Sequence, residues 1–201
     1  MAVMRKRRTQ VQRRGETQRR VLDAATELVA ARGSRAVSLA AVGAAAGYSR
    51  GIVNHHFGTK TRLLEALIRH TQQFDVPDDA PTGLGRLTAF IAAYLGGMWD
   101  RTPRSEAFLR LWAEAAGAEP ALAPLFIERD AAFKASVAQY IRDGQADGSI
   151  RGDARPDTAA LAIIGQLRGA AMLAFSTARD VPIADLTKEV LRLVEQGLAA
   201  R

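Results

Sequence analysis

Cysteine is absent from this 201-residue chain. That excludes a disulfide framework, a thiolate metal site and a cysteine nucleophile, and nothing calls for an oxidising compartment. Histidine is scarce, with three residues. Two of them, His55 and His56, are adjacent, so on a helix they point about 100° apart, and no carboxylate or thiolate is placed to complete a metal site. Long apolar runs are also missing. The longest candidate, Ala159 to Phe175, is interrupted by Gln166 and Arg168 and falls short of the roughly 20 residues of a membrane helix, so it reads as a buried helix. The amino-terminal charges lack the apolar stretch that a secretory signal requires, and a cytoplasmic protein is expected. No segment alternates with period two, so strands are not expected. A Gly-rich phosphate loop is present only as the fragment Gly83-Leu84-Gly85, no catalytic residues or cofactor site stand out, and turnover is not expected.

What the chain does have is an apolar content of 48%, enough for substantial cores, and a net charge of +7 that is unevenly spread. Residues 1–20 hold eight Lys/Arg against the single acid Glu16, while the rest of the chain holds 20 Lys/Arg and 20 Asp/Glu. Divided at residue 74, the first part has 14 basic and four acidic residues and the second 14 and 17. One end is suited to a polyanion and the other is not.

Residues 1–14, with Arg5, Lys6, Arg7, Arg8, Arg13 and Arg14 and few apolar residues, read as a flexible basic arm. From Glu16 the apolar positions Val21, Leu22, Ala25, Leu28 and Val29 recur at helical spacing and stop at Gly33. Ser38 is placed to cap a second helix that ends at Gly47. Ser49 caps a short third helix ending near His55, and Thr59 caps a fourth that runs to about Phe74. The Pro- and Gly-containing stretch 75–85 is the clearest boundary. Beyond it, helices are expected near 84–99, 103–117, 120–146, 156–178 and 183–199, with Pro103, Pro120, Pro156 and Pro182 near their starts. The expected fold is all-α with about nine helices. Residues 15–74 form an amino-terminal helix-turn-helix unit of three helices with a fourth behind it, and residues 75–201 form a second helical domain.

The segment from Ser38 to Lys60 carries the chemistry. Helix, glycine-centred turn and short capped helix is the arrangement that presents one helix to the DNA major groove. The short helix offers exposed N–H groups and the positive end of its dipole, with Arg50 in its first turn and Gly51 permitting close backbone approach. Arg50, Asn54 and His55 supply donors for base edges or phosphates; Ile52, Val53 and Phe57 supply the apolar side that anchors the helix. One of the two adjacent histidines is expected to pack and the other to face DNA.

Residues 16–70 resemble the amino-terminal domain of the TetR family of bacterial transcriptional regulators. The matching positions are Val21-Leu22, Ala24-Ala25, Leu28, Gly33, Val37-Ser38, Val42, Ala46-Gly47, Ser49, Gly51, His56-Phe57, Lys60 and Leu63-Leu64. The resemblance implies phosphate contacts by Ser38 and Lys60, and a recognition turn and helix made of Tyr48, Ser49, Arg50, Gly51, Asn54 and His55. Two positions depart from it. Asn54 replaces the usual tyrosine and could instead pair with adenine, and Gly43 replaces alanine at a helix-propensity cost of about 1 kcal/mol.

The resemblance also implies that the carboxy-terminal helices enclose a small, largely apolar effector of unknown identity. Phe90, Tyr94 and Met98, and Phe108 and Trp112, lie four apart on helical faces. With Trp99, Phe126, Phe133 and Met172 they are the candidate lining, although packing alone would account for any one of them. Arg168 and Gln166 interrupt an apolar helix; they could bind an anionic effector, but an exposed edge or an interdomain contact is the expectation. The stripes Leu161, Ile164, Leu167, Ala171 and Leu186, Val190, Leu193, Val194 suit either a monomer core or, by resemblance, a homodimer through the last two helices. The expected function is a sequence-specific DNA-binding regulator, a ligand-responsive repressor on a palindromic operator. The competing readings are an activator of the same family and a non-specific nucleic-acid binder working through the basic arm.

Overall fold

The computed structural model describes residues 10–72, 76–77, 79–117, 119–176 and 182–200. Within them the chain forms nine α-helices: α1 (Gln10–Arg32), α2 (Leu39–Ala46), α3 (Arg50–Phe57), α4 (Lys60–Thr71), α5 (Gly83–Trp99), α6 (Pro103–Ala116), α7 (Ala123–Asp147), α8 (Pro156–Ser176) and α9 (Ile183–Leu198). Two 3-10 turns, Ser34–Ala36 and Pro120–Leu122, complete the regular structure, and the described residues contain no strand beyond an isolated bridge between Ile150 and Ala199.

Short polar side chains set the helix starts. Ser38 Oγ accepts from the Ala41 N–H at 3.0 Å, Ser49 Oγ from Ile52 at 3.3 Å and Thr59 Oγ1 from Arg62 at 3.2 Å. Thr82 and Thr102 cap α5 and α6 in the same way. Gly47 closes α2 in the left-handed region at φ 74°, a conformation that a Cβ would strain. Pro103 and Pro156 stand at the first positions of α6 and α8. Pro120 instead opens the 3-10 turn, and α7 begins three residues later than its position suggests.

The largest departure from expectation is at the amino terminus. α1 begins at Gln10, so Arg13 and Arg14 are helical where a flexible arm is expected through residue 14. Gln and Arg propagate a helix cheaply, and exposed arginines need no core to do so. Arg5, Lys6, Arg7 and Arg8 lie outside the described residues, as do Phe74 and residues 177 and 178 at the expected ends of α4 and α8.

Val21, Ala25 and Val29 of α1 meet Val42 and Ala46 of α2, Val53 and Phe57 of α3, and Leu63, Leu64 and Leu67 of α4 in one apolar cluster that continues into α5–α9. α1 lies along α6, while α7 packs against α5 and α8, and α9 against α5 and α8. Between the two halves, the Ser34 N–H donates to Glu114 Oε2 at 3.0 Å, and Arg35 Nε to Glu119 Oε1 at 2.5 Å. α8 is by length and composition apolar enough to cross a bilayer, but its Ala160, Ile163, Ile164, Leu167 and Ala171 are buried in the core. The two expected stripes divide. Ile164, Leu167, Ala171, Val190 and Val194 serve that core, whereas Leu161 (64% exposed) and Leu193 (48%) face outward, with Leu173 (61%) beside them in kind.

Candidate DNA interface and aromatic cluster

The α2–turn–α3 unit is built so that one side of α3 is fixed and the other is free. Val53 and Phe57, one helical turn apart, are buried. Ile52 is 40% exposed, which corrects the expectation that it anchors the helix: it lies about 100° around from Val53 and joins the outward face. That face also carries Arg50, Gly51, Asn54 and His55, all exposed, with Ser38, Ser49 and Lys60 exposed at the starts of α2, α3 and α4. Among the described residues no carboxylate pairs with Arg50 or Lys60, so both cations are available to a polyanion.

Gly43 has a structural reason. The Tyr48 N–H donates to the Gly43 carbonyl at 2.8 Å, and a Cβ at Gly43 would lie 2.9 Å from the Tyr48 carbonyl oxygen. The turn therefore sits tight against α2, and Tyr48 is half-buried with the Arg20 guanidinium 5.4 Å above its ring. Arg20 and Arg62 were not singled out by the sequence. Arg20 is 28 residues from Tyr48, and no local pattern links them. Arg62 lines a shallow hollow of about 330 Å³ with Gln18, Asn54, His55 and Arg69. His56 is half-buried behind His55; burial, the neighbouring His55 and Arg14 hold its pKa below the ordinary imidazole value.

The nine candidate effector residues fall into separate groups. Phe90, Tyr94, Phe133 and Tyr140 form a packed series, with ring centroids 5.2 Å apart for Phe90–Phe133, 5.7 Å for Phe90–Tyr140 and 5.7 Å for Tyr94–Phe133. Phe108 and Phe126 form a separate pair at 6.1 Å. Trp99 donates from Nε1 to Thr187 Oγ1 of α9 at 2.8 Å, and Met172 is half-buried on α8. Met98 lines a cavity of about 590 Å³ that opens between α1, α4 and the α5–α6 corner beside Asp23, His70 and Arg104.

Arg168 overturns its expectation. It is 8% exposed inside the core rather than on an edge or between domains, while Gln166 is half-buried. Arg168 Nη1 donates to Asp130 Oδ2 at 2.6 Å, Nη2 donates to Asp130 Oδ1, and the guanidinium lies 5.4 Å over the Trp112 ring. Burial works to lower the guanidinium pKa, but the Asp130 hydrogen bonds and charge outweigh it and leave the pKa raised. Tyr94 interacts with the same group, and burial pushes its phenol up to about 12. Asp130, on a different helix and 38 residues away, carried no sequence signal.

Residues 21–67 match the profile described as bacterial regulatory proteins, tetR family, and residues 84–199, over half of the chain, match that of the BetI-type transcriptional repressor, C-terminal. The chain belongs to the TetR family. Among curated relatives of this TetR-family chain, the HTH-type transcriptional regulator BetI of Burkholderia mallei is 32% identical over 103 residues, covering 47% of this chain and 52% of the relative. The chain thus spans about half the length of that relative. The HTH-type transcriptional regulator CymR of Pseudomonas putida is 46% identical over 61 residues, covering 30% of each chain. Among solved structures, a TetR-family transcriptional regulator from Rhodococcus sp. superposes with a TM-score of 0.79 at 22% identity, over 90% of this chain and 98% of that one. It shares the fold.

Proposed function

We propose that this TetR-family chain is a ligand-responsive repressor that binds a palindromic operator as a homodimer. The observation that carries the reading is α3 itself, a helix anchored by Val53 and Phe57 with Arg50, Ile52, Asn54 and His55 turned outward and no internal partner for Arg50. Such a helix suits the major groove, with Ser38 and Lys60 as phosphate contacts and Asn54 as a reader of adenine. The match to BetI-type repressors over α5–α9 supports the repressor reading. The outward Leu161, Leu173 and Leu193 support pairing of α8 and α9 with their copies. Two-fold symmetry then sets half-sites about 34–36 Å apart or a multiple of it. An effector with different affinities for the two states shifts the spacing of the reading heads. Residues 1–14, including helical Arg13 and Arg14, add sequence-independent phosphate contacts.

The test is selection of genomic fragments on the purified protein at physiological salt, followed by sequencing. Enrichment of one or a few palindromes, lost in Arg50→Ala/Asn54→Ala but only weakened when Arg5, Lys6, Arg7 and Arg8 become alanine, is the expected result. Retention without a shared sequence, insensitive to the α3 substitutions, overturns specific repression and assigns binding to the basic segment. Enrichment of palindromes from which the protein raises rather than lowers transcription in vitro replaces repressor by activator.

A further inference from the structure

Arg168 is the only charged side chain among the described residues that is buried in the core. Its two terminal nitrogens are satisfied by Asp130, but its Nε is buried with no hydrogen-bond partner. A buried ion pair is by itself a weak source of stability. Replacing a buried ion pair by apolar residues of similar volume is often neutral or stabilising. The two partners also differ in freedom. The Arg168 side chain is 10% exposed and held under Trp112 and against Tyr94, whereas the Asp130 side chain is 33% exposed at the edge of α7 and can turn to water. The cation is held on more sides than its carboxylate.

We propose that Arg168 is the docking point for the carboxylate of a small apolar acid, and that Asp130 holds that place until the acid arrives. This rests on the reading of the chain as an effector-responsive regulator and names the chemical class of its effector. The exchange swaps one carboxylate for another on the same guanidinium fork, so the buried charge stays balanced while Asp130 regains hydration. A free ligand is not tied to the α7 backbone and can take up the unsatisfied Nε, which gives it an advantage over Asp130. Its apolar body meets Trp112 and Tyr94 at the guanidinium, with Phe133 packed on Tyr94 behind them.

The same exchange reaches the reading head. Arg129, next to Asp130, donates from Nε to Gln72 Oε1 at 2.5 Å, just past the end of α4. α4 packs against α3 and α1. Release of Asp130 from α8 therefore loosens α7 at the point where α7 grips the helix behind the recognition helix, a contact that the acid-bound state would weaken.

The experiment uses the full-length protein with acetate and benzoate as probes, against chloride and benzyltrimethylammonium at equal ionic strength. Trp112 is read by fluorescence in a Trp99→Phe background, since the chain has two tryptophans. Asp130→Ala strips the built-in carboxylate. Both acids are expected to raise its Tm saturably and to shift Trp112 emission, benzoate more strongly. Wild type should bind benzoate about tenfold more weakly, the effect of an internal competitor. Arg168→Met/Asp130→Ala should respond to neither acid. Asp130→Asn, which keeps the side-chain shape, provides the same comparison if the alanine variant fails to fold. Equal responses to acetate and chloride, a preference for the ammonium, or an unchanged response in the double variant (an adventitious additive only) overturns the proposal. Operator retention is measured on the same preparation. Retention without acid binding removes the acid and leaves the regulator; acid binding without retention does the reverse.

Discussion

α1–α4 and α5–α9 are both helical, yet they distribute polar chemistry in opposite ways. In the reading head α2, α3 and α4 are short, each starts on a hydroxyl cap, and the candidate contacts Arg50, Asn54 and His55 lie exposed. In the body the helices run to 25 residues, and the charged group of greatest interest is turned inward and paired across two helices. The head is organised to meet something large and rigid already in solution. The body is organised to close around something, or around itself. Local signals suffice for the first arrangement, whereas the second exists only once distant residues meet.

The sharpest way to break this contrast is one substitution made in both halves. Phe57 and Phe133 are 5% and 9% exposed, and truncation of either to alanine should cost about 3–5 kcal/mol, read as a lower denaturant midpoint or Tm. Below the melting range the two must diverge. Phe57→Ala removes the lower anchor of α3 and should abolish operator retention, whereas Phe133→Ala leaves the reading face intact, keeps operator retention and loses benzoate binding. Equal losses of DNA binding would mean that the halves are a single mechanical unit.

A milder substitution pair sharpens the same comparison. Gly96, on the exposed side of α5, has nothing within 4 Å of where a Cβ would stand, so Gly96→Ala should gain up to about 1 kcal/mol from helix propensity. Gly43→Ala has the same intrinsic gain but sets its methyl 2.9 Å from the Tyr48 carbonyl, and backbone there must shift at a cost of about 1–3 kcal/mol. Thermal melts of the two variants should therefore move in opposite directions. A stabilised Gly43→Ala would show that the turn after α2 has room to relax.

These differences mirror what was legible in the sequence. Ser38, Ser49, Thr59, Gly33 and Gly47 announced the head almost residue by residue, because caps and left-handed glycines act within four residues of where they stand. The nine helices followed from periodicity and proline placement. Less was legible wherever an outcome depended on which side of a helix finds a neighbour. Ile52 was read as an anchor although only Val53 and Phe57 face the core, and Leu161 and Leu167 share a stripe yet lie on opposite sides of the burial line. Arg168 stood out as a polar break in α8, but its partner Asp130 and the Trp112 ring come from other helices, and no spacing rule reaches them. The start of α1 was misplaced for another reason. Charge density was read as disorder, whereas an exposed helix tolerates it.

The smallest effect separates folding from DNA binding at a single side chain. Burial, His55 and Arg14 depress the His56 pKa, so the folded chain favours the neutral ring. As pH falls below the unfolded value of about 6.5, the unfolded chain takes up the proton first and the His56 contribution to stability declines toward the folded pKa. On a phosphate backbone the sign reverses, because the polyanion favours the charged ring and affinity rises as pH falls through the same window. Wild type should thus bind its operator more tightly at about pH 5.5 than at pH 7.5 while melting at a slightly lower temperature. His55 lies on the same face and His70 is paired with Asp23 between α1 and α4, so only the part of each trend that disappears in His56→Gln belongs to His56. If stability and affinity change with pH in the same direction in that difference, His56 acts on the packing of α3 and not on DNA, and the division between anchored and outward faces runs in front of it.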